Sequence, residues 1–119
     1  MTLREQIQQV IDDEPVAIFM KGTPQMPACG NSLRALQALW SAGAPITAVD
    51  VLPDPAIRQE LSALTDWPTI PQVFIKGELI GGADITEELH ASGELERRLD
   101  EALGAGRERT VKVVAVDAA

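Results

Sequence analysis

Cysteine and histidine are almost absent from this sequence of 119 residues, which has one of each, Cys29 and His90. A single cysteine excludes a disulfide within the chain, and with it the disulfide-stapled scaffolds of small secreted proteins. One cysteine and one histidine also fall short of the roughly four ligands of a structural zinc site. We therefore expect a protein of a reducing compartment, the cytoplasm.

Aromatic residues are scarce as well, at 3% with no tyrosine, so leucine, isoleucine, valine and alanine must build the hydrophobic core. Hydrophobic residues make up 45% of the chain and charged residues 24%, which is the composition of a globular protein. The length suits a single domain of ordinary size.

Positive charge is in short supply, because 10 lysines and arginines face 18 aspartates and glutamates, for a formal net charge of -8. Such a chain repels phosphate backbones and anionic lipid surfaces, so we expect neither nucleic acid nor a membrane as a partner. No stretch approaches the ~18 apolar residues of a membrane span, and the polar start of the chain is unlike a signal peptide.

Hydrophobic spacing and turn residues predict the order helix, strand, helix, strand, helix, strand, strand, helix, helix. This order indicates an α/β fold, with a mixed four-stranded sheet that is flanked by helices and closed by an antiparallel hairpin. The domain is expected to occupy residues 1–103. Residues 104–119 are interpreted as a flexible tail, although the run 111–116 is an alternative extra strand. Trp40 keeps the helical spacing of nearby leucines and is assigned to the core.

Cys29 is the main candidate for chemistry, and it opens the tetrapeptide Cys29-Gly-Asn-Ser32. It follows a buried strand and a proline-bounded loop, at the start of a helix. Free N–H groups and the helix dipole stabilise an anion there, and Lys21 adds a nearby cation, so we expect a lowered thiol pKa. A buried, inert cysteine is the alternative. Ser32 stands where a two-cysteine redox motif has its second thiol, so a resolving thiol must come from elsewhere.

Two further segments are candidates for ligand contact. The Ile70–Pro71 pair, just before a strand, indicates either a cis turn that leaves the Ile70 backbone open to an extended peptide or an ordinary loop proline. The segment Gly81-Gly-Ala-Asp84 lets a ligand approach the backbone at a helix N-terminus, which suits a carboxylate. A hairpin that leads into a helix also needs glycine, so these glycines indicate either a ligand site or an ordinary structural turn.

These segments, in this order, resemble the monothiol glutaredoxins of the CGFS type, with CGNS at the corresponding position here. The matching residues are Phe19-Met-Lys-Gly-Thr-Pro24, Pro27-Ala-Cys-Gly30, Ser32, Trp67-Pro-Thr-Ile-Pro-Gln72 and Gly81-Gly-x-Asp84. The resemblance extends over about residues 3–103. It implies a thioredoxin-like fold, bound glutathione, a [2Fe-2S] cluster that bridges two subunits of a homodimer, and a BolA-like protein as a partner.

The resemblance also implies which residues form the site. Cys29 is the catalytic thiol and the cluster ligand, and the glutathione contacts fall on Lys21, Arg58, Ile70, Ala83 and Asp84. Lys21 and Arg58 can pair with the glycyl carboxylate of glutathione. The Ile70 backbone can pair with the cysteinyl unit. The helix N-terminus at Ala83 can bind the γ-glutamyl carboxylate, and the Asp84 side chain can bind the neighbouring ammonium group. Four cluster thiolates are then supplied by Cys29 from each of two chains and by two glutathione molecules.

Two positions depart from the family pattern. Asn31 stands where the motif has phenylalanine. We expect the loss of the aromatic ring to expose the cluster to water and the Asn31 amide to lie near the cluster sulfurs. Either change shifts the reduction potential and the lifetime of the cluster. Ala83 replaces a frequent second cysteine. Glutathione needs only the backbone N–H of that residue, so binding is expected to survive while a disulfide within the chain becomes impossible.

Three functions remain open at this point. The leading one is an iron-sulfur carrier or assembly factor that delivers clusters to apo iron-sulfur proteins. The alternative is a glutathione-dependent thiol-disulfide oxidoreductase with weak activity, in which Cys29 attacks a glutathione mixed disulfide and a second glutathione regenerates it. The third is a thioredoxin-fold interaction module with an idle thiol.

Overall fold

The computed structural model describes residues 1–117, which form five helices and five strands. Their bounds are α1 Leu3–Asp13, β1 Val16–Met20, α2 Gly30–Ser41, β2 Pro45–Asp50, α3 Pro55–Thr65, β3 Gln72–Ile75, β4 Glu78–Gly81, α4 Ala83–Ala91, α5 Glu94–Leu103 and β5 Thr110–Val113. The order of the first nine elements is the order predicted from the sequence. None of the described helices combines the length and apolar character needed to cross a membrane.

The strands form one mixed sheet in the order β4-β3-β1-β2-β5. β1 runs parallel to β2 and antiparallel to β3, and β3 and β4 form the expected hairpin. Helices α2 and α5 pack on one face of the sheet, and helices α1 and α3 pack on the other. The expected mixed sheet with helices on both faces is therefore confirmed.

Strand β1 lies at the centre of the sheet, and none of its five side chains is exposed to solvent. Alternate residues of a strand point to opposite faces, so both faces must be apolar when both are covered. Ile18 packs into the α2 and α5 side of the core, while Phe19 packs into the other side and meets Phe74 edge-on, with ring centroids 5.8 Å apart. This buried strand provides a rigid base for Lys21, which follows it directly.

The expectation of a four-stranded sheet is wrong by one strand. β5 pairs in parallel with β2, from Pro45 opposite Thr110 to Ala48 opposite Val113. Its threonine and valines favour an extended backbone, and Val116 beyond it is buried against the α1 and α3 side of the core. Residues 110–113 therefore form a strand of the sheet and not a frayed tail. The division into a domain over 1–103 and a tail over 104–119 stays a prediction, and residues 118–119 lie outside the described residues.

Trp40 is not a core residue, since 45% of its surface is exposed. Leu36 and Leu39 already fill the sheet-facing side of α2, and Trp40 follows about 100° further around the helix. The Arg109 guanidinium lies over the indole, with its central carbon 5.1 Å from the ring centroid. The assignment from spacing alone was wrong because Trp40 falls at the margin of the apolar stripe.

Candidate functional site

Cys29 is the N-cap of α2, at the point where the loop after β1 becomes a helix. The first backbone N–H groups of a helix have no partner within it and are available to an anion at the N-cap. The pKa of Cys29 is lowered, chiefly because its thiolate accepts a hydrogen bond from the Ser32 N–H. Partial burial opposes this effect, and the Asn31 N–H, the Lys21 charge and the Ser32 hydroxyl add to it. The expected direction of the shift is confirmed.

Ser32 is fully buried, and its Oγ accepts a hydrogen bond from the Lys21 N–H at 3.0 Å. This bond ties the first turn of α2 to the end of the central strand, so Cys29 and Lys21 are held in a fixed relation. A serine hydroxyl cannot form a disulfide with Cys29. The residue at the second position of the redox motif therefore positions the site and does not resolve a mixed disulfide.

The loop between β1 and α2 is closed by backbone contacts at its base. The Ala28 N–H donates to the Lys21 carbonyl at 2.9 Å, and the Gly22 N–H donates to Asp50 Oδ1 at 2.9 Å. Gly22 has φ +88°, and a Cβ there would lie 2.4 Å from the Met26 carbonyl oxygen. Only glycine fits this position, so the loop that delivers the chain to Cys29 has one compact shape.

The two cations of the predicted site line one cavity of about 580 Å³. We call this cavity the cationic pocket, and its lining residues are Lys21, Val51, Leu52, Pro55, Arg58, Gln59, Ser62 and Pro68. Arg58 projects from α3, and its Nη2 donates to the Pro68 carbonyl at 3.4 Å. Two cations beside apolar walls form a suitable receptor for a carboxylate.

The other three predicted contacts line a second cavity of about 400 Å³. We call it the helix pocket, and its lining residues are Asn31, Arg34, Trp67, Thr69, Ile70, Pro71, Gly82, Ala83, Asp84 and Ile85. The Ile70–Pro71 peptide bond is cis, as the first of the two interpretations expected, while contact of the Ile70 backbone with a peptide stays a prediction. Helix α4 begins here without a side-chain cap, and its first N–H groups therefore remain available to an anion.

The two pockets are neighbours along the loop before β3. Pro68 lines the cationic pocket, while Thr69 and Ile70 line the helix pocket. Cys29 lines neither pocket, but one residue of each acts on it, since the Lys21 charge and the Asn31 N–H both lower its pKa. The structure thus brings Lys21 and Arg58 into one pocket and Ile70, Ala83 and Asp84 into the other. We call the two pockets together with Cys29 the groove.

Gln72 is a positioning residue at the end of the motif Trp67–Gln72, and no role for it was predicted from the sequence. It is fully buried at the start of β3, where its Nε2 donates to the carbonyls of Trp67 at 2.9 Å and of Thr69 at 3.3 Å. Its Oε1 accepts from the Thr65 hydroxyl at 3.0 Å. These bonds fix the loop that carries Ile70. A polar residue at the head of an apolar strand was the available signal.

Arg34 is a second residue that sequence reasoning missed, and it joins α2 to α4. Its guanidinium donates to Asp84 Oδ1 at 2.7 Å, to Glu87 and to Asn31 Oδ1 at 2.9 Å. The hydrogen bond from Arg34 lowers the pKa of Glu87, and the two carboxylates raise the pKa of Arg34. We call these four side chains the Arg34 network. No periodicity or local motif indicates such a contact, since 50 residues separate Arg34 from Asp84.

The donor set at the site is small. Among residues 1–117, no three histidine, cysteine, aspartate or glutamate side chains come together in a way that holds a metal ion. A [2Fe-2S] centre usually takes four thiolates, so the chain fits as the source of one of them, Cys29. The other three must come from outside this chain.

Fold and site together define a class of protein. A mixed sheet is flanked by helices, the central strand leads into a helix whose N-cap is a cysteine of lowered pKa, and a cis-proline turn precedes the neighbouring strand. This arrangement is that of a thioredoxin-like protein whose reactive group is a single activated thiol.

Comparison with known proteins narrows the class. The sequence profile of the family described as Glutaredoxin matches residues 16–80. Probable monothiol glutaredoxin GrlA of Legionella pneumophila is 51% identical over 88 residues, which cover 74% of this chain and 99% of the relative. The chain belongs to the monothiol glutaredoxin family.

Solved structures agree with this assignment. The solution structure of reduced poplar apo GrxS14 is 40% identical in sequence, covers 85% of this chain and 93% of its own, and superposes with a TM-score of 0.74. The crystal structure of a buckwheat glutaredoxin-glutathione complex is 29% identical, covers 84% of this chain and 89% of its own, and has a TM-score of 0.73. The thioredoxin-like fold expected from the sequence is confirmed.

Proposed function

We propose that this protein binds glutathione in the groove and uses Cys29 as one thiolate ligand of a [2Fe-2S] cluster that bridges two copies of the chain. The observation that carries the proposal is an activated thiol without a resolving partner, because the Ser32 hydroxyl occupies the position of a second cysteine. A thiolate that cannot be consumed by an internal disulfide remains available as a ligand.

The charges along the groove support glutathione as the ligand. Glutathione has a carboxylate at its glycyl end, and the cationic pocket offers Lys21 and Arg58. Its γ-glutamyl end has a carboxylate and an ammonium group, and the helix pocket offers the uncapped start of α4 together with Asp84. Ile70 also lines the helix pocket, and its backbone would pair with the central cysteinyl unit in the manner of a strand. The buckwheat complex adds the support of a relative with glutathione bound.

The cluster is cargo in this proposal, for assembly of or transfer to apo iron-sulfur proteins. Two Cys29 thiolates and two glutathione thiolates complete the four ligands, which requires a homodimer. The role of the chain is to favour the thiolate form of Cys29 and to place a glutathione thiolate beside it. A BolA-like partner and a cytoplasmic location belong to the same proposal and derive from the family resemblance.

A glutathione-dependent oxidoreductase is the second candidate, and the lowered pKa of Cys29 favours it as well. The Cys29 thiolate attacks the glutathione sulfur of a mixed disulfide, and the thiolate of the substrate protein leaves. The thiolate of a second glutathione then attacks the glutathione sulfur bound to Cys29. Glutathione disulfide departs, and the Cys29 thiolate is restored, so no other oxidant or reductant is needed.

Anaerobic reconstitution separates the two functions. The full chain is incubated with iron, sulfide and glutathione, and visible absorption and molecular size are then measured. A coloured dimer that fails to form without glutathione supports the carrier. A colourless monomer that turns over a glutathione mixed disulfide supports the oxidoreductase. A protein that does neither has an idle thiol, and both proposals are then wrong.

A further inference from the structure

Arg34 lines the helix pocket together with Ile70, Ala83 and Asp84, yet the proposed function gives it no role. Its side chain is 39% exposed, and it projects from the same helix that begins at Cys29. The cation therefore lies among the groups that are proposed to receive the γ-glutamyl end of glutathione. The positive charge of Arg34 therefore acts on any ligand in the helix pocket.

The Arg34 network has the charge pattern of a receptor for a zwitterion. The guanidinium is 2.7 Å from Asp84 Oδ1, and the Asp84 side chain is 86% exposed. A positive and a negative group are therefore adjacent at the rim of the pocket. The γ-glutamyl end of glutathione bears an ammonium and a carboxylate on one carbon atom, so it presents the complementary pair of charges.

Donors are available for a further acceptor. A guanidinium has five N–H groups, and within residues 1–117 the contacts to Asp84, Glu87 and Asn31 use four of them. Glu87 remains paired with Nε at 3.0 Å whether or not Asp84 turns towards a ligand. Asn31 holds the guanidinium through Nη1 at 2.9 Å, so its orientation does not depend on Asp84 alone.

We propose that Arg34 is a glutathione-binding residue that receives the α-carboxylate of the γ-glutamyl group, while Asp84 receives the neighbouring ammonium. This inference rests on the proposed function, because it assigns an additional contact within the same groove. It also gives Asn31 a role, that of a positioning residue for the guanidinium.

A purely structural role for Arg34 makes a different prediction. An ion pair between exposed side chains contributes little to stability, so a clasp between α2 and α4 would alter the thermal midpoint slightly and leave ligand choice unchanged. A binding role requires instead that loss of Arg34 reduce discrimination for the α-carboxylate of the ligand, leaving only what the N–H groups at the start of α4 contribute. The two roles therefore differ in ligand selectivity.

The test compares glutathione with γ-aminobutyryl-cysteinylglycine, which lacks only the α-carboxylate, by calorimetric or NMR titration of the full chain. We expect the original protein to bind glutathione about tenfold more tightly than this analogue, as loss of one charge-assisted hydrogen bond implies. Arg34→Gln is expected to bind the two ligands within about threefold of each other, and Arg34→Lys to recover part of the difference. Arg97→Gln, on α5 and outside both pockets, is the matched control and should keep the full difference.

Each result decides the question. Discrimination by Arg34→Gln equal to that of the original protein overturns the inference and leaves glutathione binding intact. Failure of the original protein to bind glutathione at all overturns the proposed function and the inference with it. Thermal midpoints of the three variants show that the proteins compared are folded.

Discussion

The two ends of the groove differ in how their charges are arranged. In the cationic pocket, Lys21 and Arg58 form no ion pair with any carboxylate of residues 1–117. In the helix pocket, Arg34 is already paired with Asp84 and Glu87. Two cations without ion-pair partners attract any anion. A cation that is already paired, such as Arg34, accepts an anion only when the ligand also supplies a cation to the carboxylate that it displaces. In the proposed glutathione complex, the cationic pocket is therefore expected to contribute affinity and the helix pocket to contribute selectivity.

The largest expected effect comes from the Cys29 thiol. Cys29→Ser is expected to abolish cluster assembly and thiol exchange, because a hydroxyl of similar size is not a comparable ligand or nucleophile at neutral pH. Visible absorption after reconstitution and turnover of a glutathione mixed disulfide measure the two losses. The thermal midpoint should stay close to that of the original protein. A coloured dimer of the serine variant would show that Cys29 is not the ligand.

Removal of either unpaired cation should weaken glutathione binding less completely. Lys21→Ala or Arg58→Ala removes a charged hydrogen bond to the glycyl carboxylate that contributes on the order of 1.5–3 kcal/mol. Titration with glutathione and with its glycyl amide measures this effect, and each variant should lose its preference for the acid. Arg4→Ala, whose arginine pairs with Glu60 on the α1 and α3 side, serves as the control. If both variants keep the preference, the glycyl end lies elsewhere.

A smaller effect is expected at Asn31, which belongs to the Arg34 network and lies two residues after Cys29, the proposed cluster ligand. A phenylalanine there covers more apolar surface beside Cys29, so the cluster of Asn31→Phe should decay more slowly in air. Decay of visible absorption at matched glutathione measures this, and the thermal midpoint should change only slightly. Decay that is equally fast or faster would show that the position does not control shielding of the cluster, and would favour a role of Asn31 in partner docking or in a hydrogen bond to sulfur.

The smallest effect concerns pH. Because the pKa of Cys29 is lowered, the thiolate fraction at neutral pH exceeds that of an ordinary thiol. The rate of alkylation by iodoacetamide should therefore rise with a midpoint below that of free glutathione under the same conditions. In Lys21→Ala the midpoint should move upward slightly, since the lysine charge is a minor cause beside the Ser32 N–H. A midpoint at or above that of glutathione would contradict the lowered pKa.

Local signals predicted the elements well. In the sequence, Thr2 and Glu5 have the spacing of a capping box, and Asp54 followed by Pro55 is typical of a helix start; helices α1 and α3 begin with these caps. Cys29 could be placed at a helix N-terminus because strand, loop and helix follow one another directly along the chain. In each of these cases, the interacting groups lie within a few residues of one another.

Contacts between distant parts of the chain could not be predicted in the same way. The pairing of β5 with β2 joins residues 65 positions apart, such as Pro45 and Thr110, and only the valine-rich composition pointed to a strand. The Arg34 network depends on how α2 and α4 are packed, which neither helix encodes alone. The division of the proposed glutathione contacts between a pocket with unpaired cations and a pocket with a paired cation is likewise a property of the folded chain.

Asp50 gives the cationic pocket a mechanical property. One carboxylate oxygen, Oδ1, accepts hydrogen bonds from the Gly22 N–H and from the Leu52 N–H, each at 2.9 Å. Gly22 follows Lys21 directly, and both Lys21 and Leu52 line the pocket. Because Gly22 and Leu52 are bonded to the same oxygen atom, the two sides of the pocket cannot move apart independently. The width of the cationic pocket is therefore fixed before a ligand binds. A ligand that fits is bound without the entropic cost of ordering the loop.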